Sequence, residues 1–290
     1  MFRFSTGKPT NLVSVELGAA QVHSRRDRVA VAEIAGRMRV SREVVCEIGE
    51  RRASLELNRP EKLNALNVAL VAALEDQARR VSGLADIDVV LVRGAGRSFC
   101  AGLDLDMFAA EGMSREFYRR QERGFRLLEV MDKTVIAAIH GYCLGGGVQL
   151  AAACDVRVAS SDAVLGLPAI DEGLFPGMAP YRLPRLLGKG RAASLILSGR
   201  RLSAQEAYAI GLVDHVVGAE RFEEELAAIV DTYARAPRAA ALATKRLIAR
   251  SYDASFDEVL AESETLLDEC LRSPEVARAR TARTAQVKRR

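Results

Sequence analysis

A chain of 290 residues with 49% hydrophobic side chains carries enough apolar material for one large buried core, which excludes an intrinsically disordered protein. A formal charge of +4 without a dense basic stripe among its few aromatics excludes a dedicated nucleic-acid surface. No apolar run reaches the roughly 18 residues of a membrane span, the five cysteines form no CxxC pair and the three histidines have no ligand spacing, so we expect reduced thiols, no metal site, no membrane partner and a cytoplasmic location.

Residues 1–43 read as a flexible leader. Arg25, Arg26, Arg28, Arg37 and Arg39 lie among short apolar pieces without the continuous apolar centre of a secretory signal, and Glu16, Asp27 and Glu33 oppose a transit peptide. Met38, just before the first convincing strand, is an alternative start of translation. Two short strands follow, over 44–49 and 53–57, forming a hairpin. Asn58 to Asn67 is a loop in which Pro60 blocks helix and Asn67 is placed to cap a helix over about 68–82.

The run Val89 to Arg93 has the uniformly apolar character of a strand buried on both faces, and Gly94 to Leu105 is an irregular loop whose glycines do not fit the GxGxxG spacing. A helix over about 114–131 leads to a second buried strand, Val135 to Ile139, and Val156 to Ala159 is a third. Strand–helix–strand alternation of this kind implies parallel pairing with right-handed crossovers. From Arg185 onward the pattern is helical, with a capping box at Ser203 and Glu206, a stop at Gly211, and amphipathic segments over about 220–235, 238–250 and 255–271. The basic end, from Arg278 to Arg290, is expected to be solvated. We therefore divide the chain into the leader 1–43, a core 44–215 and a helical region 216–290.

The stretch from Ala137 to Asp155 organises the rest. It reads as a strand, a tight turn and the start of a buried helix, with Gly145, Gly146 and Gly147 at the junction. Each glycine weakens a helix by about 1 kcal/mol relative to alanine, so something must approach this backbone closely. Two explanations compete: a ligand oxygen held by the first, unpartnered amides of the helix, or close packing of helix on sheet.

With these motifs in order, the chain resembles the crotonase superfamily, the enoyl-CoA hydratase/isomerase family, from about residue 44 to 272. The resemblance rests on Leu57 to Leu66, Ser98 to Leu105, His140 to Gly147 and Gly211 to Asp214. It implies an α/β fold, a spiral of ββα units with a C-terminal helical trimerisation region, assembled as a homotrimer or a dimer of trimers. It also implies an acyl-CoA thioester as the partner, with coenzyme A as part of the substrate and no separate cofactor. By motif position the backbone amides of Leu103 and Gly146 form the oxyanion hole for the thioester. Lys62, Leu63, Ala65, Ala101, Leu103, Asp104, Leu105, Asp106, Gly145, Gly146, Pro168 and Ala169 match the segments that line the substrate path.

The sequence departs from the family where protons move. Hydratases of the family carry one glutamate two residues past the glycine run and another after a Gly-x-Pro element. Here those positions are Gln149 and Ala169, and the carboxylate site used by some isomerases is Gly177. None of these exchanges a proton near neutral pH, so the two-glutamate hydration mechanism is not expected. Asp171 and Glu172 are nearby replacements, with a solvated turn or an ion pair to Arg182 or Arg185 as the alternative reading. His140 reads as non-catalytic, and Gln149 as a hydrogen-bonding group that orients water or substrate. The expectation is an acyl-CoA enzyme acting through an enolate; decarboxylation of a malonyl-type ester, thioester hydrolysis and a non-catalytic CoA-ester-binding paralogue are the alternatives.

Overall fold

The computed structural model describes the backbone of residues 42–287 and side chains through residue 281. The expected leader and the alternative start at Met38 lie outside the described residues. The opening hairpin forms as expected: β1 (Val44–Ile48) pairs antiparallel with β2 (Arg52–Leu57). In β2 the alternation of Ala53, Leu55 and Leu57 puts all three into the core.

Asn67 then caps α1 (Val68–Ser82), its side chain accepting from the Leu70 amide at 2.9 Å. The parallel strands β3 (Val89–Gly94), β4 (Thr134–Ile139) and β6 (Val156–Ser160) join β2 in register, and β9 (His215–Val217) completes a six-stranded sheet in the order β1-β2-β3-β4-β6-β9. Helix α1 packs on α3 (Arg115–Val130). At that contact buried Glu75 receives Arg120 at 2.8 Å and Arg123 at 3.1 Å, so a carboxylate inside the helix pair is fully countered.

A second sheet was not legible in the sequence. Its strands β5 (Tyr142–Leu144), β7 (Val164–Gly166) and β8 (Arg201–Ser203) are three residues each, too short to display a period. Two turns of the spiral each give one strand to each sheet and then a helix: β4 and β5 precede α4 (Gly146–Ala152), while β6, β7 and the 3-10 turn Pro168–Glu172 precede α5 (Ala179–Leu187). This is the expected crotonase-like α/β spiral. The loop expected over 94–105 is likewise more ordered than its composition implied, ending in the short helix α2 (Leu105–Glu111).

Helix α6 (Lys189–Ser198) and α7 (Ala204–Ala209), with its capping box at Ser203 and Glu206, close the core. The helical region comprises α8 (Phe222–Ala234), α9 (Arg238–Arg250) and α10 (Phe256–Arg272). The chain beyond it is helical too. The expected solvated end continues as α11 (Pro274–Val287), begun by a proline whose fixed φ suits a first helical turn, although Arg278 and Arg280 on it are exposed.

Candidate active site

The site begins with a short extended segment, Cys100 to Leu103, clamped on both sides. On one side Cys100 bridges Cys143 of β5: its amide donates to the Tyr142 carbonyl at 3.0 Å and its carbonyl accepts from Leu144 at 2.9 Å. On the other side Leu66 bridges Leu103, donating to the Gly102 carbonyl at 2.6 Å and accepting from Asp104 at 3.1 Å. In a parallel bridge the residue flanked by those two bonds turns its own N–H and C=O the opposite way. The Leu103 amide therefore points away from Leu66 and has no acceptor among the described residues.

The glycines complete this geometry. Gly102, at φ +93°, lies so close to the next turn that a Cβ on it would meet the Leu144 carbonyl oxygen at 2.8 Å and the Gly146 nitrogen at 3.3 Å. A Cβ on Gly147 would sit 2.3 Å from the Cys100 carbonyl oxygen. The glycine run is thus closely packed, protein on protein, and this packing brings the Leu103 segment beside the Gly146 amide. Gly146 is the first residue of α4, so its amide has no intrahelical acceptor.

Asp104 braces the frame, as its motif position implies. Its Oδ1 accepts from the Met107 amide at 3.1 Å to cap α2, and its Oδ2 receives Arg59 at 2.9 Å. Arg59 also donates to the Ala65 carbonyl at 2.6 Å, tying both loops together. Burial works against the Asp104 charge, but the Met107 amide and the Arg59 guanidinium outweigh it and hold the carboxyl below its usual range. Beneath the frame, burial pushes the Cys100 thiol up to about 12, which makes it a neutral packing group.

Leu103 and Gly146 both line an apolar pocket of about 140 Å³. Of the residues expected on the substrate path, it is lined by Ala101, Leu103, Leu105, Gly145, Gly146, Pro168 and Ala169, together with Gln149 and Glu172. Lys62, Leu63, Ala65, Asp104 and Asp106 do not line it. Leu63 and Ala65 serve through their carbonyls, which accept from Ala101 and Arg59. Lys62 pairs with Asp106 at 2.7 Å on the exposed rim. Asp171 does not line the pocket either: it is exposed, as Glu172 is, and its carboxylate lies beside Gly199. Of the alternative reading, an exposed turn is seen but the ion pair is not, since Arg182 binds Glu122 and Glu129, and Arg185 binds Asp253. His140 hydrogen-bonds the Gly96 carbonyl at 3.0 Å and is likewise absent from the pocket.

Gln149 is buried at 4% exposure, and its Oε1 accepts from the Met178 amide at 2.8 Å. That bond fixes the side-chain amide, because the flipped orientation would set NH₂ against N–H. The far wall is formed by residues that no motif indicated: Met113, Tyr118, Gln121, Leu174 and Phe175. Tyr118 and Phe175 meet edge to face at 6.5 Å between ring centres. Burial and the nearby Glu122 carboxylate raise the Tyr118 hydroxyl above its ordinary range, so it stays protonated. The helical spacing of Phe117, Gln121, Gly124, Phe125 and Leu128 signals a buried face on α3, but not that Tyr118 beside it reaches a pocket. Among the described residues no cluster of metal-ligating side chains occurs, and no helix is long and apolar enough to cross a membrane.

A family profile for enoyl-CoA hydratase/isomerase matches residues 47–286. The chain belongs to the enoyl-CoA hydratase/isomerase family. It is 34% identical over 245 residues to a short-chain-enoyl-CoA hydratase of Clostridium acetobutylicum, covering 82% of this chain and 93% of that protein. To a crotonyl-CoA hydratase of Syntrophomonas wolfei it is 39% identical over 189 residues, or 63% of this chain and 72% of that one. Among solved structures, an enoyl-CoA hydratase from Bacillus anthracis superposes with a TM-score of 0.78 at 32% identity, covering 84% of this chain and 96% of the other. An enoyl-CoA hydratase from Mycobacterium smegmatis does so at 0.79 and 30% identity, covering 84% and 96%.

Proposed function

We propose that this family member is an acyl-CoA enzyme that stabilises a thioester enolate between the Leu103 and Gly146 amides. The observation that carries the reading is the pair of unpartnered amides at one edge of an apolar pocket, held there by backbone bonds on both sides. Each such donor is commonly worth roughly 3 kcal/mol of transition-state stabilisation, whatever proton or carbon chemistry follows. The relatives named as hydratases of crotonyl-CoA and short-chain enoyl-CoA support an acyl thioester as substrate.

Proton transfer falls to Glu172, the carboxylate that lines the pocket. It stands in for the glutamates missing at Gln149 and Ala169, from the same 3-10 turn as Ala169. The test is turnover of a panel of 2-enoyl-, 3-enoyl- and malonyl-type CoA esters by the natural chain, Glu172→Gln and Asp171→Asn. We expect Glu172→Gln to lower kcat by about 10²–10⁴ and Asp171→Asn to leave it within about twofold. Equal rates for all three proteins would remove Glu172 from the mechanism, and CoA-ester binding with no turnover of any ester would make the chain a binding paralogue.

The helical region supports assembly as a homotrimer or a dimer of trimers. Phe256, Leu260, Leu267 and Leu271 on α10 are 78%, 45%, 57% and 53% exposed, apolar surface that a lone chain leaves in water. Sedimentation of the full chain at the mass of a monomer would reject this assembly.

A further inference from the structure

The pocket contains one polar group whose chemistry the enolate reading leaves unused. Gln149 is more than nine-tenths buried, its Oε1 is taken by the Met178 amide, and its Nε2 donates to no group among the described residues. Its orientation is fixed and the residue lines the pocket, so Nε2 is a donor there that cannot turn into an acceptor. Gln149 also lies three residues beyond Gly146 on α4. That spacing puts both on one helix face about 4.5 Å apart along the axis, and a helical side chain leans back toward the N-terminus, here toward Gly146. An acyl group whose thioester oxygen rests on the Leu103 and Gly146 amides therefore brings its third carbon toward Gln149.

What such a donor would bind is narrowed by charge. No lysine, arginine or histidine lines the pocket among the described residues, and Glu172 does. A group entering with its own negative charge, such as the free carboxylate of a malonyl ester, meets a like charge and no cation. A neutral carbonyl meets a matched donor. A plain alkyl chain leaves the Nε2 donors unpaired in an apolar site, a loss that sites built to bind an oxygen use to reject its absence.

From these observations we infer that Gln149 is a specificity-determining donor for the C3 carbonyl of a 3-oxoacyl-CoA, bound as its enolate. This deepens the enolate reading above and rests on it. On binding, a C2–H bond breaks and its electron pair spreads over the thioester oxygen and the C3 oxygen. The proton leaves to the Glu172 carboxylate or to solvent water. The Leu103 and Gly146 amides then hold one end of the delocalised charge, and Gln149 Nε2 holds the other. Three neutral N–H donors suit a charge that appears only after the ligand is inside.

The test titrates the full-length chain with butyryl-CoA, 3-oxobutyryl-CoA and malonyl-CoA, following heat of binding and the ultraviolet band of the conjugated enolate. We expect 3-oxobutyryl-CoA to bind about tenfold tighter than butyryl-CoA, with the enolate band appearing at a lower pH than in free solution. Gln149→Met, which keeps length but has no N–H, should bring the ratio to within about twofold and return the band to its solution pH. Gln149→Glu keeps an acceptor for the Met178 amide and serves if the methionine variant folds poorly; it should lose the preference in the same way. Failure of butyryl-CoA to bind would overturn the parent reading. Equal binding of butyryl- and 3-oxobutyryl-CoA, a preference that survives both variants, or tightest binding by malonyl-CoA would overturn the role of Gln149 alone.

Discussion

The segment Cys100–Leu103 and the turn Pro168–Gly177 form opposite walls of one pocket but are built differently. The first is clamped by backbone hydrogen bonds to Leu66 and to β5, braced by the Arg59–Asp104 pair and packed against glycines with no room for a Cβ. The second is a 3-10 turn followed by a loop, with Ile170 and Phe175 exposed, and its polar content depends on which side chains it carries. Charge stabilisation by backbone donors needs the fold and little else, so Leu103 serves as well as another residue at its place. Proton transfer needs a particular side chain at a particular point. One half of the site is therefore retained with the fold, while the other can change chemistry by substitution.

The largest effect should come from the clamped wall. Gly147→Ala drives a methyl to 2.3 Å from the Cys100 carbonyl oxygen, an overpacking of about 3 kcal/mol, or on the order of 10 °C in Tm for a chain of this size. A variant that melts with the natural chain would show that this wall yields. Arg59→Leu should cost about 3 kcal/mol by leaving Asp104 buried without its cation. It also changes the acid limb of stability. Because the folded Asp104 carboxyl lies below its usual range, its contribution is present above the unfolded value near 3.9 and is lost as pH falls through the folded value. Denaturant titrations at descending pH should show that loss in the natural chain and a smaller one in Arg59→Leu.

On the other wall, a Cβ at Gly177 would lie 2.8 Å from Gln149 Oε1, and the residue sits at φ +47°. Gly177→Ala should cost about 2 kcal/mol in the natural chain and about 1 in a Gln149→Ala background, where only the backbone strain remains. A zero coupling energy in that cycle would mean the two positions do not compete for space. The smallest change is expected at the rim: Lys62→Ala removes an exposed pair with Asp106 and should leave Tm unmoved, while KM for CoA esters rises by roughly threefold if the lysine meets a phosphate. An unchanged KM would place the CoA path elsewhere.

Local signals were sufficient wherever one residue type has one physical use. Asn67 before an apolar face, Ser203 with Glu206, and the alternation of Ala53, Leu55 and Leu57 each specify a cap or a strand on their own, and the structure has all three. The motif order located the Leu103 and Gly146 amides. By the same resemblance, Gln149, Ala169 and Gly177 stand where carboxylates are expected. Three-residue strands are too short to show a period, so β5, β7 and β8 emerged only when the spiral paired them.

Tertiary structure also separates Asp171 and Glu172, adjacent and equally exposed residues of the same chemistry in one 3-10 turn: the Asp171 carboxylate lies beside Gly199, while Glu172 lines the pocket. It recruited Tyr118 and Phe175 from segments 57 residues apart, which no local pattern can join. It gave the glycine run its full meaning as well. From the sequence alone, three glycines required close approach by something; the fold identifies part of that something as the Cys100 carbonyl. A sequence records which groups lack side chains or carry charge, but which atoms then meet is set by long-range pairing and packing.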